Sequence, residues 1–91
     1  MEFEFDPNKS ARNKDKHGID FVEAQHLWAD ENRLEVPANT EDEPRYVLVA
    51  EYRGRIWAAI FTHRTDRIRL ISVRRARKEE KELYYESEES R

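Results

Sequence analysis

The clearest pattern along the chain is a set of three runs of aliphatic, β-branched and aromatic residues in its second half. The runs cover residues 45–52, 55–62 and 67–73, and two short turns separate them, Arg53-Gly54 and Arg64-Thr65-Asp66. Short apolar runs joined by tight turns are typical of an antiparallel meander. The first two runs are apolar on both faces, so they predict strands inside a sheet.

Two weaker patterns predict further strands in the first half of the chain. In residues 1–5, Phe3 and Phe5 fall on one face with acidic residues between them, which is the two-residue period of a strand. Residues 33–36 predict another short strand. The polar stretch that follows, residues 37–44, predicts a loop.

Boundary residues, rather than periodicity, predict a first helix over residues 8–16. Asp6 can accept backbone N–H bonds as the N-cap, and Pro7 suits the first helical position because its missing donor would have no partner there. His17-Gly18 ends the helix, since glycine readily takes the left-handed C-cap conformation. Ala11 is the one apolar residue between these limits, so the helix is expected at the surface.

A capping box and an apolar stripe predict a second helix. Asp20 can cap it, and Glu23, three residues later, completes the box. The stripe that would face a core consists of Phe21, Ala24, Leu27 and Trp28.

The order of elements, β-α-α-β-β-β-β-α, predicts an α+β fold in which two N-terminal helices and one C-terminal helix pack on one face of an antiparallel sheet of about four to five strands. Residues 76–86 supply the last helix, and residues 87–91 are expected to be a frayed acidic tail. A chain of 91 residues without cysteine is expected to form a single domain, residues 1–91, without disulfides. No apolar run approaches the roughly 20 residues that span a bilayer, so no membrane partner is expected and the cytoplasm is the predicted location.

Charge is distributed unevenly behind a net charge of -3. Residues 52–78 hold nine Lys or Arg against one acid, Asp66, whereas both flanking segments are acidic. Such a basic block fits a phosphate backbone or an acidic partner. Strict alternation places Arg67 and Arg69 on one face of their strand and Arg74 on the other, so a shared site requires convergence near the strand ends.

The chain carries no motif for a metal or a nucleotide cofactor, and the histidines at positions 17, 26 and 63 share no ligand spacing. No cofactor and no metal are therefore expected. RNA cleavage without metal needs a cation for the pentacovalent phosphate, a group that takes the 2′-OH proton and one that protonates the leaving oxygen. Arginine could supply the cation. His17 or His63 could supply the proton-transfer groups, because an unperturbed imidazole titrates at about pH 6.5.

Other interpretations of the same residues remain open at this point. The arginines could be solvated surface groups with weak ion pairs, or they could dock an acidic protein. His17 could serve only as part of a helix C-cap. Tyr84 and Tyr85 could be packing residues rather than acids.

Several sequence elements, taken together, resemble the BrnT-type toxins. They include Phe3–Lys9, Asn13, Lys16-His17-Gly18, Phe21, Glu23-Ala24, Glu43-Pro44-Arg45, Arg53-Gly54-Arg55, Thr62-His63-Arg64 and Asp66–Ala76, followed by Glu80 and Tyr84. The resemblance covers nearly the whole chain.

The resemblance implies a type II toxin with a RelE-like fold that cleaves RNA without metal and so inhibits translation and growth. Its implied partner is a BrnA-like antitoxin with a ribbon-helix-helix part, in a heterotetramer that reaches operator DNA only through the antitoxin. A non-catalytic or inactive homologue that acts as an antitoxin-binding and autoregulation module is the alternative.

The resemblance also implies site residues. Arg64 and Arg74 are expected to hold the phosphate in the transition state, His17 is the acid or base candidate, and Glu80 and Tyr84 complete the catalytic set. The residues expected to bind RNA are Lys16, Arg45, Arg67, Arg69, Arg75 and Arg77.

Overall fold

The computed structural model describes residues 1–38 and 42–89. Its strands are β1 (Glu2–Glu4), β2 (Leu34–Ala38), β3 (Arg45–Tyr52), β4 (Arg55–Arg64) and β5 (Arg67–Arg75), and its helices are α1 (Pro7–His17), a 3-10 helix (Glu23–Ala29) and α2 (Lys78–Glu89). The five strands form one sheet in the order β1-β5-β4-β3-β2. The α+β class and the predicted number of strands are confirmed. No helix in these two described ranges is long and apolar enough to cross a membrane.

The limits of α1 are those that its boundary residues predict. Asp6 Oδ1 accepts the backbone N–H of Asn8 at 2.8 Å, and Pro7 occupies the first turn. Gly18 ends the helix at φ 83°, in the left-handed region, and its N–H donates to the Lys14 carbonyl. Since α1 buries only Ser10 and Asn13, the prediction of a surface helix is also confirmed.

The second N-terminal helix was predicted as an α-helix, and this is wrong: the segment Glu23–Ala29 is a 3-10 helix. The capping box does form, with Asp20 Oδ1 accepting the N–H of Glu23 at 2.7 Å. The most deeply buried residues of the stripe repeat every three positions: Phe21, Ala24 and Leu27. A helix of three residues per turn keeps these side chains on one face, and such helices occur in short pieces.

The sheet is mixed rather than antiparallel, because β1 runs parallel to β5. The alternation of Phe3 and Phe5 indicates a strand, but it carries no information about its neighbour. The register places Glu2 beside Arg67 and Glu4 beside Arg69, and both pairs form ion pairs, at 3.4 Å and 3.0 Å. The parallel register therefore brings opposite charges together.

The helices lie on both faces of the sheet, contrary to the predicted single layer. One core packs α1 and the 3-10 helix against the sheet and contains Phe21, Leu27 and Phe61. The other lies beneath α2 and contains Val49 and Tyr84. Because β3 and β4 are apolar on both faces, each face needs a covering layer.

A β-bulge in β5 overturns the strict alternation of its side chains. The pairing shifts between Ile60 and Phe61 of β4, so Ile60 lies opposite Ser72, Phe61 lies opposite Leu70, and Ile71 is the extra residue. A bulge of this kind resets the alternation by one position. As a result, Arg67, Arg69 and Arg74 share the face of α2 instead of being divided between the two faces.

Among the remaining boundaries, the turn at Arg53-Gly54 lies where it was predicted, whereas the ends of several elements differ from the predictions. The turn between β3 and β4 has positive φ at both central residues, 51° at Arg53 and 76° at Gly54, which is the geometry of a two-residue hairpin. Part of the predicted 37–44 loop belongs to β2, which ends at Ala38, and residues 39–41 lie outside the described residues. Helix α2 continues to Glu89, and the last two residues of the expected tail lie outside the described residues.

Candidate nucleic-acid interface

Helix α1 is fixed to the sheet where β1 stops covering the edge of β5. Strand β1 pairs with residues 67–69 only. Beyond them, the side chain of Asn13 takes the place of a neighbouring strand: Nδ2 donates to the Val73 carbonyl at 2.9 Å, and Oδ1 accepts the Val73 N–H at 3.2 Å. Nδ2 also donates to the Ile19 carbonyl at 2.7 Å. One buried amide thus sets the position of α1 on β5.

A cleft of about 290 Å³ lies between α1 and this edge of β5. Its wall on α1 consists of Lys9, Arg12, Asn13, Lys16 and His17, and its wall on β5 consists of Ile71 and Ser72. The three cations lie at positions i, i+3 and i+7 of the helix, so they share one side of it.

The charge of this cleft is not neutralised within the part of the chain that the structure describes. The structure shows no ion pair for Lys9, Arg12 or Lys16 among those residues, and none of the residues that line the cleft is acidic. Arginine and lysine side chains in such a surface bind phosphate oxygens through charge-assisted hydrogen bonds. The cleft can therefore hold an anionic backbone beside the His17 imidazole.

The arginines expected to hold the phosphate lie elsewhere, on the face of the sheet that carries α2, and each has a carboxylate partner. The ion pairs are Arg64–Glu43 at 2.9 Å, Arg67–Glu2 at 3.4 Å, Arg69–Glu4 at 3.0 Å and Arg74–Glu80 at 2.7 Å. None of these arginines lines the His17 cleft. The two arginines are also far apart along the sheet. Arg64 of β4 lies opposite Arg67 at the start of β5, whereas Arg74 lies near the end of β5. The cleft that contains His17 is therefore formed without Arg64 and Arg74.

Arg74 and Glu80 form the most complete of these pairs. Arg74 Nη1 and Nη2 donate to the two carboxylate oxygens of Glu80 at 2.7 Å and 3.0 Å. Glu80 Oε1 also accepts the backbone N–H of Arg77 at 2.8 Å, which caps the start of α2. The hydrogen bonds from Arg74 lower the pKa of Glu80 despite its partial burial. The pair fastens α2 to the end of β5.

We expect this pair to make the stability of the protein depend on pH. The unfolded chain protonates Glu80 near its ordinary pKa of 4.5, whereas the folded state keeps it ionised to lower pH. The stabilisation is thus present above about pH 4.5 and is lost as the pH falls through the lower folded pKa. Glu80→Gln should reduce the free energy of unfolding at neutral pH by about 2 kcal/mol and flatten its decrease in acid, measured by urea unfolding.

The exposed neighbour Glu79 provides the control for this prediction, because Glu79→Gln removes the same charge from the same turn of α2. It should leave both the stability and its pH dependence close to those of the unmodified protein. An acid decrease that is equally steep in the Glu80→Gln variant would contradict the role assigned to the pair.

Tyr84 belongs to α2 and points into the core between this helix and the sheet, so it does not line the cleft. Its hydroxyl donates to Asp30 Oδ2 at 2.6 Å, and its pKa is raised by burial and then by this hydrogen bond. Asp30 also accepts the N–H groups of Asn32 and Glu51. Burial opposes the ionisation of Asp30, but these hydrogen bonds outweigh it and lower its pKa. The contact joins α2 to the loop before β2.

Of the other expected RNA-binding residues, Lys16 lines the cleft and the rest do not. Arg45 is exposed at the start of β3, and Arg77 is exposed before α2. Arg75 lies on the α1 face of the sheet, with its guanidinium 5.6 Å from the centre of the Trp57 ring. Within the described residues, no group of three His, Asp or Glu side chains could hold a metal ion.

Three residues of α1 that line the cleft were absent from the predicted site: Lys9, Arg12 and Asn13. A signal for the two cations was present in the sequence, because the spacing of Lys9, Arg12 and Lys16 places them on one side of a helix whose limits were already predicted. Asn13 was noted only as part of the family resemblance. Its hydrogen bonds to Val73, sixty residues away, have no local signal.

The fold and the cleft define a small α+β protein with a basic groove beside an imidazole. Among the described residues, no ion pair neutralises this groove. Residues 5–80 match a family model described as "Ribonuclease toxin, BrnT, of type II toxin-antitoxin system". The chain therefore belongs to the BrnT family of ribonuclease toxins, which confirms the resemblance seen in the sequence, and an antitoxin is its implied partner. No curated protein matches the chain.

Proposed function

We propose that this protein is a metal-independent endoribonuclease toxin that binds the RNA backbone in the cleft between α1 and β5. The cleft is lined by His17 and by three cations that form no ion pair among the described residues, and this observation carries the proposal. The cations are Lys9, Arg12 and Lys16. Cleavage of RNA there would inhibit translation and growth.

The proposed reaction is attack of a ribose 2′-oxygen on the adjacent phosphorus, with departure of the 5′-oxygen. The products are a 2′,3′-cyclic phosphate and a 5′-hydroxyl end. The cations bind the non-bridging oxygens, whose charge grows in the transition state. His17 transfers one proton, either from the 2′-hydroxyl or to the leaving oxygen. The second proton-transfer group is water or another side chain that reaches the bound RNA.

The implied antitoxin would restrain this activity. We propose a BrnA-like ribbon-helix-helix partner that forms a heterotetramer with the toxin in the cytoplasm and carries it to operator DNA. A RelE-like fold of the toxin belongs to the same proposal. An antitoxin segment that covers the cleft should be acidic, so its association should accelerate at low salt.

The function is tested by incubating the purified protein with total RNA, with and without EDTA. Cleavage should survive EDTA. The double variant Arg12→Gln/Lys16→Gln should cleave at least about a hundredfold more slowly, because it removes two charge-assisted contacts with phosphate and each contributes about 1.5–3 kcal/mol. A matched variant, Lys78→Gln/Lys81→Gln, removes two positive charges from α2, on the other face of the sheet. It should retain the activity.

Two results would contradict the proposal. Loss of cleavage in EDTA, with recovery on adding a divalent cation, would show that a metal is required. Equal activity in the two double variants would show that the charge of the cleft is not used. Far-UV circular dichroism of each variant confirms that the fold persists.

The alternative function is a non-catalytic module that binds the antitoxin and contributes to autoregulation. The observation in its favour is that Arg64, Arg67, Arg69 and Arg74 are all held by carboxylates of the same chain. Absence of RNA cleavage together with tight antitoxin binding would favour this alternative.

A further inference from the structure

A second concave site lies on the other side of the end of α1, at the turn between β3 and β4. It encloses about 250 Å³. Its lining includes Lys14, Glu23, Tyr52, Arg53, Arg55 and Trp57. This turn is the Arg53-Gly54-Arg55 element of the sequence, to which the proposed cleavage site gives no role.

The site carries an excess of positive charge. Lys14 donates to Glu23 Oε1 at 2.6 Å, so these two charges offset one another. Within the described residues, no carboxylate forms an ion pair with Arg53 or Arg55, and both side chains are exposed. Arg53 is close enough to Lys14 to oppose its protonation, although the hydrogen bond to Glu23 keeps the pKa of Lys14 raised. Glu23 also attracts Arg53, so it offsets part of the positive charge, and an anion bound at the turn would offset the rest.

One cation of this site, Arg53, is held against an aromatic ring. The hairpin turn holds Arg53 at φ 51°, and its guanidinium lies 5.3 Å from the centre of the Tyr52 ring. Trp57 also lines the site, is almost fully buried, and donates its indole N–H to the Tyr52 carbonyl at 3.3 Å. Guanidinium groups held in place by aromatic rings lose less freedom when they bind a phosphate.

The position of this site relative to the first cleft indicates which anion it would take. Lys16 and His17 line the cleft on β5, whereas Lys14 and Gly18 line the second site. The two sites therefore border the same last turn of α1 and are separated by about one helix diameter, roughly 10 Å. A single-stranded polyanion of a few nucleotides is long enough to reach both sites around this turn.

We propose that the Arg53-Gly54-Arg55 turn binds the ribose–phosphate backbone of RNA that flanks the segment held in the cleft between α1 and β5. This inference rests on the proposed function and deepens it, because it extends the substrate contact to several nucleotides. Arg53 and Arg55 contact backbone phosphates, while bases stay outside the small site. The contact is thus independent of base sequence.

The test uses the variant Arg53→Asn/Arg55→Gln and a twelve-nucleotide 2′-O-methyl RNA, which binds but cannot be cleaved. Asn-Gly is the preferred pair for a two-residue hairpin with positive φ, so the variant keeps the turn. Fluorescence anisotropy at several salt concentrations should show about tenfold weaker binding at low salt. The slope of log K against log salt should fall by about 1.4, since each single-strand phosphate contact contributes about 0.7. Lys78→Gln/Lys81→Gln is the charge-matched control and should bind as the unmodified protein does.

The possible outcomes separate this inference from the proposed function. If the unmodified protein cleaves RNA and the turn variant binds like the control, the turn site is overturned and the nuclease stands. If binding depends on Arg53 and Arg55 but no cleavage occurs, the turn site is supported and the nuclease is overturned. Absence of binding by the unmodified protein overturns both. If the variant weakens binding of the antitoxin but not of RNA, the site belongs to the protein partner and the inference fails.

Discussion

Replacing His17 by asparagine should lower the rate of RNA cleavage by between about a hundredfold and ten-thousandfold, which is the range that a positioned general acid or base contributes. His17 is the one imidazole that lines the basic cleft, and the adjacent cations would hold the phosphate within its reach. Asparagine keeps a polar side chain at the last residue of α1, so the folded protein should persist. The measurement is the initial rate on a defined RNA at saturating and subsaturating concentrations.

His63→Asn is the matched control for this variant. His63 lies near the end of β4, edge-on to Tyr46 and Phe61 at 5.0 Å and 5.3 Å, and 3.7 Å from Glu35. It is half-exposed and does not line the cleft. Its replacement should change the rate by less than about threefold, because surface substitutions usually have small effects. A large loss in this variant with full activity in the His17 variant would move the acid–base role to the other imidazole.

Replacing Asn13 by alanine should reduce the free energy of unfolding by about 3–5 kcal/mol, because it removes the partner of three buried backbone groups. The carbonyls of Ile19 and Val73 and the N–H of Val73 would all lose a hydrogen bond, and each unsatisfied buried group costs about 1–3 kcal/mol. That sum is a large fraction of the 5–15 kcal/mol by which small domains are typically stable. Urea unfolding monitored by Trp fluorescence measures the change.

Asn8→Ala is the control on the same helix, since Asn8 is exposed in the first turn and only its backbone N–H is used by the Asp6 cap. Its stability should stay within about 0.5 kcal/mol of the unmodified protein. If the two variants unfold at nearly the same urea concentration, the amide of Asn13 does not fasten α1 to β5. In that case other contacts of α1 would set the position of the cleft, such as the hydrogen bond from the Phe21 N–H to Ser10 Oγ at 2.9 Å.

Local signals in the sequence predicted most of the elements. The limits of α1 follow from Asp6, Pro7 and Gly18, whose backbone preferences act within a few residues. The hairpin at Arg53-Gly54 was predicted for the same reason. The 3-10 helix was predicted as an α-helix for two reasons. A capping box also begins α-helices. The three-residue repeat of Phe21, Ala24 and Leu27 was interpreted as part of the apolar stripe of an α-helix that also includes Trp28.

The candidate site was predicted less well than the elements. His17 and Lys16 belong to the cleft, but their roles there stay predictions. The arginines of β5 were assigned to faces by strict alternation, which one extra residue at Ile71 reverses beyond that point. The position of a β-bulge depends on the pairing with the neighbouring strand, so the residues of β5 alone did not predict the bulge.

The sequence by itself determined the strands, the caps and the family. Turn and capping residues act on the backbone within a few positions, so they can be identified without the fold. The family follows from the residues of its motifs and their spacing, which are read directly from the sequence. Only the tertiary structure decided which charges meet. The parallel pairing of β1 with β5 and the placement of α2 on the second face bring carboxylates to Arg67, Arg69 and Arg74. The α1 cations that line the cleft, Lys9, Arg12 and Lys16, receive no such partner among the described residues. These outcomes depend on contacts between residues far apart in the chain, which the backbone preferences of neighbouring residues do not determine.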